Sequence, residues 1–264
     1  MIIIAERINS SRKTIAAAIT AGDAAFIRNE AKAQDLAGAD YIDVNAGTFV
    51  GEEIEKLQWI IAAVQAATDK PLCIDSPDPK VISAVVPLAK KAPMINSITL
   101  EPVRLEGILP MAAERKAKVI ALCQSKDAMA ETAEDKVKLA EKLVEKVTAA
   151  GIALDDLYID PLVYPLSTDI RSATETLNAI EKIMKAFPGV HTTCGLTNVS
   201  YGLPGRKLVN RTFLTAAILR GLDSVIMDPT DRQLYGALKA ALAVSGRDEF
   251  CMGLIRAYRE GVLE

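Results

Sequence analysis

Eight short apolar runs punctuate the chain, at residues 2–5, 41–44, 72–74, 94–98, 119–123, 157–159, 192–196 and 224–227. They carry β-branched residues and little polar alternation, the pattern of parallel strands covered on both faces. Between them the apolar period lengthens to that of a helix. Val137, Ala140, Val144 and Val147 make one stripe, with Lys and Glu opposite, and Ile54, Leu57, Ile61 and Val64 make another. Asp78-Pro79 and Glu101-Pro102 place proline where a first helical turn tolerates it. Gly38 and Gly151 follow helical runs, where a left-handed cap is expected.

Eight runs in 264 residues is one every 33, close to the roughly 30 residues of a βα unit. No linker, low-complexity segment or strong repeat interrupts the series. The pattern predicts one domain over residues 1–264, a (β/α)8 TIM barrel. An open doubly wound sheet is the alternative. It would usually bring a glycine-rich turn after the first strand, but Glu6-Arg7-Ile8-Asn9-Ser10 contains no glycine.

Composition narrows the classes. Apolar residues are 50% and charged residues 25%, enough for a large core. Lys+Arg is 31 and Asp+Glu is 34, so no basic excess points to nucleic acid. The longest charge-free stretch, 186–205, holds two prolines and four glycines and is no bilayer span. The start of the chain lacks the basic region of a signal peptide. Cys73, Cys123, Cys194 and Cys251 are widely spaced and His191 is the sole histidine, so no zinc pattern forms. The four cysteines read as reduced thiols of a cytoplasmic protein.

The candidate chemistry lies just after the apolar runs. Glu6 and Asn9 follow the first, Asp43 and Asn45 end the second, and Asp75-Ser76 ends the third. Asn96-Ser97, Asp160-Pro161, Thr197-Asn198 and Asp228 hold the corresponding places on strands four, six, seven and eight, whereas Cys123-Gln124 on strand five adds little. In a barrel these ends converge on the C-terminal mouth, where active sites lie. Asp and Asn are common helix caps, but seven ends of eight is more than capping requires. Carboxylates accept paired hydrogen bonds from an amidine-like edge, and carboxamides both donate and accept. On these grounds the mouth suits a polar heterocycle or a hard cation on Glu6, Asp43, Asp75 and Asp160.

Several segments occur together in order: Glu6-Arg7-Ile8-Asn9, Asp75-Ser76, Met94-Ile95-Asn96-Ser97, Asp156-Leu157-Tyr158-Ile159-Asp160-Pro161, Gly195-Leu196-Thr197-Asn198-Val199-Ser200 and Asn210-Arg211-Thr212-Phe213-Leu214. Together they resemble the methyltetrahydrofolate:corrinoid protein methyltransferases, over nearly the whole chain. The resemblance implies a pterin-binding barrel acting on methyltetrahydrofolate or tetrahydrofolate, with no protein-bound metal. It implies that Asp75, Asn96 and Asp160 hold the pterin ring and that Asn198 reaches N5. Ser200 and Arg206 would complete the folate site. Asn198 would be catalytic, with Asp75 and Asp160 shaping its field. The chain has no Asp-x-His-x-x-Gly segment, so the corrinoid (cobalamin) is expected on a separate partner protein. Tyr201-Gly202-Leu203-Pro204 looks more like enzymes of demethylation pathways than like the enzyme serving the corrinoid iron–sulfur protein, which has Gln there. A homodimer is expected from the family, with Trp59, Met252 and Tyr258 as apolar contact candidates.

Three other readings compete. A dihydropteroate synthase would show a basic end to strand seven, where this chain has Leu196-Thr197-Asn198. A non-catalytic pterin-binding module would share the site without turnover. A metal-dependent barrel hydrolase or aldolase would usually bring imidazole ligands.

Overall fold

The computed structural model describes residues 1–125 and 130–263. Eight parallel strands form one sheet: β1 (Ile2–Asn9), β2 (Tyr41–Asn45), β3 (Leu72–Asp75), β4 (Met94–Ile98), β5 (Lys118–Leu122), β6 (Leu157–Asp160), β7 (His191–Thr192) and β8 (Ser224–Met227). Their order is β7-β6-β5-β4-β3-β2-β1-β8. A bridge between Gly195 and Ile226, with the Ile226 N–H donating to the Cys194 carbonyl at 3.0 Å, joins β8 to the chain leaving β7. The result is a (β/α)8 barrel.

Among the described residues ten helices surround it: α1 (Lys13–Ala21), α2 (Ala24–Leu36), α3 (Glu53–Gln65), α4 (Pro79–Val85), α5 (Pro102–Arg115), α6 (Ala133–Ala149), α7 (Ser172–Ala186), α8 (Arg206–Leu219), α9 (Arg232–Val244) and α10 (Met252–Arg259). The helix signals hold where they were read. Asp78 caps α4 by accepting from the Lys80 N–H, and Pro102 opens α5. Gly38 and Gly151 take φ of 91° and 83°. No helix among the described residues is long and apolar enough to cross a membrane.

Two stripes are rotated from the sequence reading. Ile54 is exposed, and α3 buries Leu57, Ile60, Ile61 and Val64. On α6 the buried face runs through Lys136, Ala140, Leu143 and Val147, so one lysine lies inside. Strand seven differs most. Only two residues pair as a strand, and Leu196–Ser200 forms a 3-10 turn after Gly195.

The strands sort their side chains by the two-residue period of a pleat. Outward residues such as Ala5, Ile42, Val44, Ile74, Ile95, Val119 and Ile159 pack under the helices. Ile4, Cys73, Met94, Ile120 and Tyr158 meet instead in a separate apolar cluster, joined by Tyr41 and Ile226. Two residues further along the same inward rows stand Glu6, Asp75, Asn96, Leu122, Asp160 and Asp228, with Asp43 after Tyr41. The barrel is therefore filled by hydrocarbon at one end and by carboxylates and carboxamides at the other.

Candidate active site in the barrel mouth

The polar ends enclose a cavity of about 840 Å³ at the C-terminal mouth. Asp75, Asn96, Asp160, Asn198 and Arg206 all line it. Ser200 does not. It is fully buried behind the wall, where its Oγ accepts from Arg206 Nε at 3.1 Å and donates to the Thr197 carbonyl at 3.3 Å. Arg206 also donates through Nη2 to the Thr197 carbonyl at 3.0 Å, and its guanidinium lies 5.9 Å from the centre of the Tyr201 ring. Ser200 thus orients Arg206 and stands one layer back from any ligand.

Each acid of the floor is set by a different neighbour. Asp160 is nearly fully buried, and its Oδ1 accepts from the Leu162 N–H at 2.8 Å. Burial pushes its carboxyl up to about 6, against the N–H groups of Leu162 and Gly195 and the charge of Lys136. Asp75 accepts from Asn45 Nδ2 at 3.0 Å, and burial pushes it up to about 6 despite that bond. Asp43 lies deeper. Burial, with the nearby Asp75 charge, holds it well above the ordinary carboxylate range, and Asn96 Nδ2 sits 3.5 Å from its Oδ2. The floor is thus a set of acids whose ionisation burial opposes and donors from a ligand would favour.

Asn198 sits on the 3-10 turn at the rim, exposed. The turn is closed by the backbone: the Asn198 N–H donates to the Gly195 carbonyl at 3.2 Å, and the Tyr201 N–H donates to the Asn198 carbonyl at 3.1 Å. Its carboxamide makes no hydrogen bond to any described residue and is left for a ligand. Gly195 makes room for it, since a Cβ there would lie 3.2 Å from Asn198 Nδ2.

Four residues matter more here than their sequence positions suggested. Gln124 lines the cavity although strand five had looked barren. Arg12 and Lys207 join Arg206 on the cavity wall, so a basic rim faces the acidic floor. Glu6 lines the cavity, and burial, then the Asp228 charge, push its carboxyl up to about 7 against Arg12 and Arg206. The resemblance points to Arg206 but not to Arg12 or Lys207, which come from the loop before α1 and from the first turn of α8. Among the described residues, no group of three or more His, Cys, Asp or Glu is arranged to hold a metal ion.

Comparison with known proteins fits this geometry. A sequence model of a family described as pterin binding enzyme matches residues 5–228. The chain is 41% identical over 263 residues to a methylcorrinoid:tetrahydrofolate methyltransferase of Eubacterium limosum, covering 99% of this chain and 97% of that protein. It is 29% identical to the methionine synthase of Mycobacterium tuberculosis, over 86% of this chain but only 20% of that protein. Among solved structures, the dihydropteroate synthase of Yersinia pestis superimposes with a TM-score of 0.69 over 93% of both chains, at 16% identity. That of Xanthomonas albilineans with 7,8-dihydropteroate gives 0.61, at 21% identity over 92% of this chain and 91% of that one. At such identities the structural likeness speaks for the barrel alone.

Proposed function

The chain belongs to the pterin-binding enzyme family, and from that premise we propose that it is a methyltransferase moving a methyl group between N5 of tetrahydrofolate and the cobalt of a corrinoid carried by a separate protein. The observation that carries the reading is the acidic floor. Asp75, Asn96 and Asp160 converge in one cavity at the mouth, in a chain 41% identical to a methyltransferase of that kind.

The floor suits the donor edge of a pterin. Asp160 and Asp75 accept from the 2-amino and ring N–H groups, and Asn96 supplies a neutral partner. Arg206, oriented by Ser200, with Arg12 and Lys207, forms the side that suits the glutamate carboxylates of a folate. The open mouth leaves the methyl-bearing nitrogen within reach of a second protein, as in-line transfer demands. Asn198 is the catalytic carboxamide. Its free side chain at the rim meets N5 and strengthens its hydrogen bond as charge develops there. Asp75 and Asp160 set the field around the ring.

Transfer from methylcorrinoid to tetrahydrofolate is the favoured direction, in keeping with the Tyr201-Gly202-Leu203-Pro204 segment and with the activity named for the Eubacterium relative. A cytoplasmic setting accords with four free cysteines, three of them buried. We place a homodimer contact on α10, where Met252 and Tyr258 are exposed; Trp59 packs on the core instead.

The test is single-turnover transfer. The purified protein, tetrahydrofolate and methylcobalamin are mixed without oxygen, and cob(I)alamin and methyltetrahydrofolate are measured. Both products should form in equal amounts. Tight folate binding with no transfer, from methylcobalamin or from a corrinoid protein, would leave a non-catalytic pterin-binding module.

A further inference from the structure

The reaction at N5 exchanges a proton as well as a methyl group, and neither Asn198 nor the remote His191 can carry it. His191 lies on β7 at the opposite end of the barrel, between Asp223 and Asp155. Among the described residues the mouth holds five inward acids, and four of them are already engaged. Asp75 is bound by Asn45, Asp160 by the Leu162 N–H, Asp43 by Asn96, and Asp228 by Arg7 and Thr230. Glu6 lines the same cavity and makes no hydrogen bond or ion pair with any described residue.

The placement of Glu6 is built into β1. The register against β2 slips between Ala5 and Ile8, so β1 carries one extra residue there. Such a bulge re-aims side chains. Ile8 is turned back under the helices, and Arg7 swings to Glu30 on α2 and to Asp228. Glu6 is left on the cavity wall. Arg7 pairs with Asp228, the acid beside Glu6, and makes no hydrogen bond or ion pair with Glu6 itself. A second feature marks the same cavity. Asn210, one helical turn beyond Arg206 on α8, lines the cavity with its Oδ1 buried and without a partner. It offers an acceptor to a water or to a protonated carboxyl.

We propose that Glu6 is the proton-exchanging catalytic residue, taking the N5 proton when tetrahydrofolate is methylated and returning it when methyltetrahydrofolate is demethylated. The proposal rests on the methyl-transfer reading given above. In the methylation direction the N5 lone pair forms a bond to the methyl carbon, and the cobalt–carbon bond breaks with both electrons remaining on cobalt, Co(III) becoming Co(I). The N5–H proton passes to the Glu6 carboxylate, directly or through one water. The reverse reaction begins with Glu6 protonated. A group that must serve both ways works best with its pKa near the working pH, and burial beside Asp228 raises Glu6 to about 7. The groups that face it are Asp228 after β8, Arg12 after β1, Arg206 on α8, Asp43 on β2 and Cys194 after β7. Of these only Arg12 and Arg206 oppose its protonation.

The test compares wild type with Glu6→Gln and Glu6→Asp in single-turnover transfer from methylcobalamin to tetrahydrofolate, between about pH 5.5 and 8.5. If wild type moves no methyl group, the methyl-transfer reading fails and the proposal falls with it. Given wild-type transfer, the rate should rise with pH through about 7, and the opposite reaction should fall through the same midpoint. Glu6→Gln should lose that midpoint and about 10²–10⁴-fold in rate, with Glu6→Asp recovering part. Tetrahydrofolate affinity should stay within about threefold. An unchanged pH profile, a rate within about twofold of wild type, or a loss confined to affinity overturns the proposal. Carboxyl 13C NMR of the free protein supplies a measurement that needs no variant turnover. One glutamate resonance, absent from Glu6→Gln, should titrate near 7, and a midpoint in the ordinary range for glutamate, about 4, overturns it equally.

Discussion

The ammonium of Lys136 sits 2.7 Å from the carbonyl oxygen of Leu162, and the N–H of that same residue donates to Asp160 at 2.8 Å. Lys136 is fully buried on α6, also donates to Thr176 Oγ1 at 2.8 Å, and is pushed down to about 8 by burial. Leu162 takes φ of 56°, a left-handed backbone that a leucine adopts at a cost. The buried cation therefore clamps a strained residue whose N–H aims Asp160, the carboxylate proposed to hold the pterin edge.

Lys136→Met tests the clamp. The lost charged hydrogen bonds cost about 1.5–3 kcal/mol. Relief from burying an ammonium offsets much of that. Tm should fall by less than about 4 °C, the equivalent of about 1 kcal/mol in a chain of this size. Tetrahydrofolate affinity should fall by about tenfold, or 1.4 kcal/mol, as Asp160 loses its fixed aim. Thermal melts and fluorescence titration check the two numbers, and unchanged affinity would show that Thr176 alone holds the Leu162 carbonyl.

Asp160→Ala removes the proposed acceptor for the ring edge. A buried donor left unpaired costs about 1–3 kcal/mol, or roughly 10- to 150-fold in affinity. Asn96→Ala should act in the same direction with a smaller size, because its partner is neutral. Calorimetric titration of both folded variants with tetrahydrofolate measures the difference.

The outer design of the barrel was legible from the chain because eight apolar runs and their polar ends are local. The inner sorting was not. In runs such as Tyr41-Ile42-Asp43-Val44 the outward positions are as apolar as the inward base, so alternation surfaces only where the acids begin. Gly195 cut strand seven short, because the chain must turn there to bring Asn198 to the rim. Lys136 looked like one more surface lysine on α6. Its burial follows from the distant Leu162 and Thr176, which no periodicity contains. Glu6 was visible as a strand end, but its isolation depends on a one-residue bulge and on Arg7 leaving for Asp228.

The pH dependence of binding follows from Asp75 and Asp160, both raised by burial to about 6. A pterin edge that donates hydrogen bonds requires them ionised, so affinity should rise with pH through about 6 and protons should be released on binding. Below that value each group should cost up to about tenfold per pH unit. The free protein should behave oppositely. A carboxyl with a raised folded pKa contributes stability present below its unfolded value and lost as pH rises through about 6. Titration calorimetry in two buffers of different ionisation heat, at pH about 6 and about 8, reads the proton count.

His191 provides a pH effect at the other end of the barrel. Its Nδ1 lies 2.6 Å from Asp223 and its ring stacks on Tyr158 at 4.7 Å. The Asp223 hydrogen bond raises its pKa above the ordinary value, outweighing burial. Its contribution to stability is complete below the unfolded pKa of about 6.5 and is lost as pH rises through the higher folded value. His191→Gln should lower stability at pH about 6 by about 1–2 kcal/mol and leave methyl transfer intact. Denaturant unfolding at several pH values should show the gap between the two proteins closing as pH rises. A gap that widens would refute the ion pair.

Asn198 is where stability and chemistry part most cleanly. Its turn is closed by backbone hydrogen bonds to Gly195 and Tyr201, and its carboxamide holds nothing in the described protein. A residue that merely capped the turn would cost stability when removed. Asn198→Ala should instead leave stability within about 0.5 kcal/mol, as for an exposed side chain away from structural contacts. If its hydrogen bond to N5 strengthens as the methyl group moves, the transfer rate should fall by about 10²–10³-fold, or 2.7–4 kcal/mol, as for one preorganised donor. Affinity for methyltetrahydrofolate should fall by no more than about tenfold. Asn198→Asp should be worse than a polar replacement implies, because an ionised carboxylate only accepts. Gly195→Ala supplies a second route to the same atom: its Cβ would stand 3.2 Å from Asn198 Nδ2 and push the carboxamide off its aim, lowering the rate while Asn198 itself is retained. Single-turnover rates at saturating folate, normalised to folded protein by thermal melt, decide the matter. A rate for Asn198→Ala within about twofold of wild type, far from the loss expected for a transition-state donor, would remove Asn198 from the mechanism.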